Sequence, residues 1–88
     1  MADQKTIDIT AEWQSLHVIT GASVGQQIDA QVLRGRGVRV AGSDSKPDEN
    51  LHGFHFEVGA FFRSETGAKE CWVRASKDGD LGQLEVEY

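Results

Sequence analysis

The apolar residues of this chain recur at every second position almost from end to end. That spacing places side chains on alternate faces of a strand. Ile7 and Ile9 alternate with Thr6 and Asp8, and Ile28, Ala30 and Val32 with Gln27, Asp29 and Gln31. Val38 and Val40 flank Arg39, and Phe54, Phe56 and Val58 alternate with His55 and Glu57. Cys71, Val73 and Ala75 share one face against Glu70, Trp72 and Arg74, and Leu84, Val86 and Tyr88 share one against Glu85 and Glu87. No stretch of ten residues keeps a helical period. Residues 11–19 come nearest, but the β-branched run Val18-Ile19-Thr20 works against a helix, so 13–20 reads as a strand. Glycine tracts at 20–25 and 34–37, a loop over 42–50 holding the only proline, Pro47, and turns at 64–67 and 77–80 punctuate the pattern. About seven short strands follow. They predict an all-β fold, a small antiparallel β-sandwich or jelly-roll-like barrel, as one domain over 1–88 with 1–4 as a flexible tail.

Eighty-eight residues can form only a thin core. With Cys71 as the only cysteine, no internal disulfide supports it. No stretch is apolar enough to span a membrane. The start, MADQKTIDIT, has no hydrophobic signal region, so export by that route is not expected. The net charge is −5, with four basic and five acidic groups in residues 1–44 and five and nine in 45–88. Such a chain is expected to be soluble and a poor general binder of nucleic acid.

Alternation fails where it matters most. With Cys71, Val73 and Ala75 inward, Trp72 points the other way. With Leu16 and Val18 inward, Trp13 and Ile19 join Ser15 and His17 on the outer face. A tryptophan carries roughly 150–250 Å² of burial potential, too much for a small domain to leave in water. Either a second subunit or a ligand covers these rings, or a one-residue bulge turns Trp72 into the core. Self-association makes Trp13, Ile19 and Trp72 contact residues. The basic cluster Arg34, Arg36 and Arg39 then gives the contact its orientation by meeting acidic side chains of a neighbour. Stacking of sugar rings on the tryptophans is the alternative use.

Chemistry-bearing motifs are lacking. His52 and His55 are three apart, on opposite faces of a strand, which is wrong for joint metal binding. Asp78-Gly79-Asp80 lacks the further oxygens of a calcium loop. No serine sits in a nucleophile elbow, and no glycine set makes a phosphate loop. No catalytic residue, metal or cofactor is expected.

The layout from "EWQSLHVITGASVGQQIDAQVLRGRGVRVAGSDSKP" through "HGFHFEVG" to "ECWVRASKDGDLGQLEVEY" resembles small β-rich virion proteins of tailed bacteriophages, the capsid decoration (cement) and fibre or knob class. The resemblance rests on Trp13, Gly25, Gly37, Pro47, Gly53, Trp72-Val-Arg-Ala75, Gly79 and Leu84–Val86, across about residues 12–87. It implies a non-enzymatic virion component made in the host cytoplasm, often a trimer, that binds a major capsid or other virion protein. A receptor- or carbohydrate-binding module of a fibre tip is the alternative it leaves. No nucleic acid or membrane partner is implied, and no functional residue is carried over.

Overall fold

A computed structural model describes residues 3–64, 69–76 and 81–88. It contains eight strands and one short helix: β1 (Gln4–Ile9), β2 (Gln14–Ser15), α1 (Leu16–Thr20), β3 (Asp29–Arg34), β4 (Val38–Ser43), β5 (Phe54–Phe56), β6 (Phe61–Arg63), β7 (Glu70–Ala75) and β8 (Gly82–Glu87). They form two four-stranded antiparallel sheets packed as a sandwich. Sheet A has the order β1-β8-β3-β6 and sheet B the order β2-β7-β4-β5. The expected all-β sandwich is the observed fold.

The alternating positions build the core as the sequence predicts. Ile7, Ile9, Ala30, Val32, Phe62, Leu84 and Val86 of sheet A meet Val38, Cys71 and Val73 of sheet B, with Leu16 and Ile28 closing the ends. Phe56 and Phe62 face each other across the sheets with ring centroids 5.1 Å apart, which closes the sandwich along its β5–β6 side. Residues 3 and 4, expected in a flexible tail, are paired with the C-terminal strand. Gln4 pairs with Glu87, and Asp3 and Tyr88 exchange both backbone hydrogen bonds.

Residues 13–20 depart from the expected strand. Only Gln14 and Ser15 pair with β7, opposite Val73 and Trp72, and the chain then turns into α1. The Ser15 hydroxyl accepts the Val18 N–H and caps the helix. Gly21, at φ +78°, ends it, and its N–H returns to the His17 carbonyl. The Thr20 hydroxyl also bonds back to the Leu16 carbonyl at 2.7 Å. These local bonds outweigh the weak β-preference of a three-residue branched run.

The turn reverses the expected side of His17. Instead of facing water, its ring is 2% exposed. The Cys71 N–H donates to Nδ1 at 3.1 Å, and Nε2–H donates to the Gln26 carbonyl at 3.0 Å. Where β2 stops, an imidazole continues the ladder on β7. Phe54, Phe56 and Val58, expected to share one face, differ in burial: Phe56 packs against the core and the other two do not. Phe54 and Val58 are 76% and 51% exposed, because three-residue β5 lies at the sheet's end and the chain arches away after Phe56. The expected turns at 64–67 and 77–80 lie almost wholly outside the described residues.

The His17→Ala variant removes the partner of the buried Cys71 N–H, which resists desolvation, and of the part-buried Gln26 carbonyl. It is expected to lower unfolding free energy by about 2–4 kcal/mol, read from urea denaturation midpoints. A loss below about 1 kcal/mol would show that the ring is not a structural tie.

Candidate interface surfaces

Strand register sorts the outward side chains of sheet B into rows. Arg39 lies opposite both Arg74 and His55, Ala41 opposite Trp72, and Ser43 opposite Glu70. Trp13, one residue before β2, joins this outer face beside Arg74. The face is not open. The connection after β4, residues 44–53, folds back over it, and side-chain donors on the sheet hold the connection down. The Trp13 indole N–H donates to the Asp48 carbonyl at 3.2 Å, and Arg74 Nη1–H donates to the Glu49 carbonyl at 2.7 Å. The Trp72 indole N–H donates to the Ser43 carbonyl at 3.0 Å. The Arg74 guanidinium lies 5.2 Å from the Trp13 ring centroid, within cation–π range. Pro47, within the connection, is buried.

The connection has its own internal ties. The Asn50 N–H donates to Asp48 Oδ1 at 2.8 Å, and the Leu51 N–H to the Asp48 carbonyl at 2.9 Å. Gly53, at φ +71°, passes so close to the sheet that a Cβ would sit 2.8 Å from the Val40 carbonyl oxygen and 3.0 Å from the Trp13 ring. At the rim Lys46 and Glu12 form a 2.7 Å ion pair, whose hydrogen bond and charge hold the Glu12 carboxyl below its ordinary range. The sign of that linkage favours the folded chain above the ordinary Glu range and fades as the pH falls below it. Full solvent exposure leaves it little weight.

The sequence-derived contact residues therefore separate. Trp13 is 3% exposed. It points outward from the sheet, as expected, but its own chain covers it, so it is not an open contact residue. Trp72 is half-buried with its indole N–H already engaged. Ile19, on the helix rather than a strand, is half-buried against the core. The three arginines do not form one cluster. Arg34 ends β3 in sheet A opposite Gln83, Arg36 lies on the β3–β4 turn, and Arg39 is half-buried on the outer face of sheet B. His52 and His55 are both exposed, the latter within 2.8 Å of the Ser76 hydroxyl. Among the described residues no three His, Cys, Asp or Glu side chains converge as metal ligands.

Two surfaces the sequence reading passed over remain open. The first is the β5–β6 edge. Both strands are three residues long, both end their sheets, and they lie on the same side of the sandwich. They carry Phe54 and Phe61, the latter 73% exposed. The signal was present: two consecutive phenylalanines, Phe61 and Phe62, cannot both face inward from one strand. The second is the outer face of sheet A, where Gln4, Glu87, Asp29 and Arg63 form one row and Thr6, Glu85, Gln31 and Phe61 the next. A shallow groove of about 570 Å³ runs along these rows. Arg63 is spent on Asp29 at 2.7 Å, and Glu85 accepts the Thr6 hydroxyl. No protein-family model, curated protein or solved structure matches the chain.

Replacing Trp13 with alanine is expected to destabilise an isolated subunit by about 3–5 kcal/mol, independent of protein concentration. Gly53→Ala is expected to destabilise it as well, through the backbone clash. Thermal unfolding at two widely separated concentrations checks both, and a Trp13→Ala effect confined to the higher one would place the ring in a contact between subunits.

Proposed function

We propose that this chain is a non-enzymatic structural protein of a phage virion, a capsid decoration or cement protein that works as a homo-oligomer, with a trimer favoured. The observation that supports self-association is the exposure of Phe54 and Phe61 on the two short end strands β5 and β6, with Val58 exposed in the connection between them. The contact residues move accordingly, from the tryptophans to the phenylalanines. An edge strand offers unpaired backbone groups, and proteins normally protect it. Here the protection is brevity alone, with exposed aromatics beside it. The placement on a virion rests on the sequence resemblance to phage decoration and fibre proteins.

Covering the two phenylalanine rings is worth roughly 6–9 kcal/mol gross. Association itself forfeits roughly 4–15 kcal/mol of rigid-body freedom. The two rings therefore supply a hot spot, and a stable contact needs further groups around it.

One observation favours a glycan-binding module as the second reading. Phe61 stands at the rim of the sheet A groove beside Asp29, Gln31, Glu85 and Glu87, an aromatic face next to acceptors for sugar hydroxyls. The tryptophans, which first suggested stacking, are occupied elsewhere.

Light scattering and sedimentation at rising micromolar concentrations test the first reading. An oligomer is expected from the wild-type chain, along with co-sedimentation with assembled phage shells. Phe61→Ser is expected to weaken self-association at least about tenfold while leaving monomer stability within about 0.5 kcal/mol. A well-folded monomer throughout, combined with calorimetric binding of an oligosaccharide, would replace it with the glycan reading.

A further inference from the structure

The ladder between β3 and β6 fixes which main-chain groups of β6 are used. Ala30 pairs with Phe62. The Val32 N–H donates to the Ala60 carbonyl at 3.0 Å, and the Ser64 N–H donates to the Ile28 carbonyl at 2.8 Å. Ala60, Phe62 and Ser64 therefore turn their main-chain groups toward β3. In an antiparallel ladder the residues between them turn theirs the other way. Phe61 and Arg63 thus present N–H and C=O groups to the free side of sheet A, and no hydrogen bond among the described residues takes them. The other sheet ends are defended. β1 carries exposed Lys5 on its core-facing side and exposed Asp8 on its outer side, charges of the kind that keep an edge from pairing. β2 runs straight into α1.

β6 is also complementary to its own image. When a second copy is laid antiparallel with Phe62 on the two-fold axis, Phe61 of each copy falls opposite Arg63 of the other. These are the residues whose main chains are free, so about four main-chain hydrogen bonds form. Centring the pair on Phe61 or Arg63 instead would use only one of the two. The Phe61 and Arg63 side chains share the outer face of sheet A, and opposed positions lie about 5.5 Å apart. Each guanidinium keeps its own Asp29 through Nε and lies against the exposed Phe61 ring of the other copy, a cation–π contact made twice.

We infer that two copies of this chain join through β6, antiparallel about a two-fold axis at Phe62, so that their four-stranded sheets A become one continuous sheet. This rests on the self-association proposed above and supplies the further groups that its aromatic contact needs. The contact is isologous and closes at two copies, which assigns a pair in place of the trimer that the resemblance favours.

Two kinds of variant test the pairing. Arg63→Pro deletes an outward N–H and leaves the β3 ladder intact; it is expected to weaken association at least about tenfold. Arg63→Ala, which keeps the main-chain bonds, is expected to weaken it less. The register is tested by a charge exchange. Phe61→Arg alone sets arginine against arginine at both positions and is expected to stay monomeric. Mixed with Arg63→Glu, it is expected to form a mixed dimer, because one opposed pair becomes arginine with glutamate and the other stays arginine with phenylalanine. Circular dichroism establishes that each variant is folded, and the charge exchange decides alone if the proline variant is not. A wild-type dimer by sedimentation is the expected state. A wild-type trimer would overturn the pairing and leave self-association standing. So would a folded Arg63→Pro chain that dimerises like the wild type, or folded charge variants that form no mixed dimer. A wild-type chain that stays monomeric would overturn both readings.

Discussion

The structure depends on a face of sheet B that would be open in a bare sandwich and is covered by the chain's own connection. Trp13 and Arg74 form the centre of that cover, with the guanidinium over the indole ring and both groups donating to carbonyls of the segment above them. A loop lying on a sheet buries backbone carbonyls, and each needs a donor. Tryptophan and arginine side chains donate but do not accept, so they meet that demand without creating a new one. Trp72 donates to Ser43, the last residue of β4, where the segment leaves the sheet. Two side-chain donors thus hold an irregular segment as a third layer over part of the sandwich.

This arrangement redirects where the chain is sticky. Burying one tryptophan contributes roughly 4–6 kcal/mol, a large share of the net stability of so small a domain. Holding that surface inside the subunit leaves Phe54 and Phe61, on the short β5 and β6 edges, as the exposed aromatic rings among the described apolar residues. It also brings Arg74 into internal use, with its guanidinium on the Trp13 ring and the Glu49 carbonyl.

Much of this was legible in the sequence. Period-two alternation assigned the inward sides of β1, β3, β7 and β8 through Ile7, Ile9, Ala30, Val32, Cys71, Val73, Leu84 and Val86, all buried. It also put Trp13 and Trp72 on the outward side. What it could not supply was the covering layer, because periodicity says which residues share a face and not what lies against that face. The grouping of Arg34, Arg36 and Arg39 failed for a related reason: a turn between two sheets sends neighbours in sequence to opposite sides. His17 was misplaced because Ser15 and Gly21 cut a short helix out of a branched run. Val58 parts from Phe56 because alternation carries no information once a strand has ended.

Fluorescence quenching of Trp13 in dilute solution tests the central claim most directly. With Trp72→Phe leaving a single indole, acrylamide should quench it poorly even at concentrations where every subunit is alone. Strong quenching in the monomer, with protection arising only as the concentration rises, would show that another chain, not residues 44–53, covers this face.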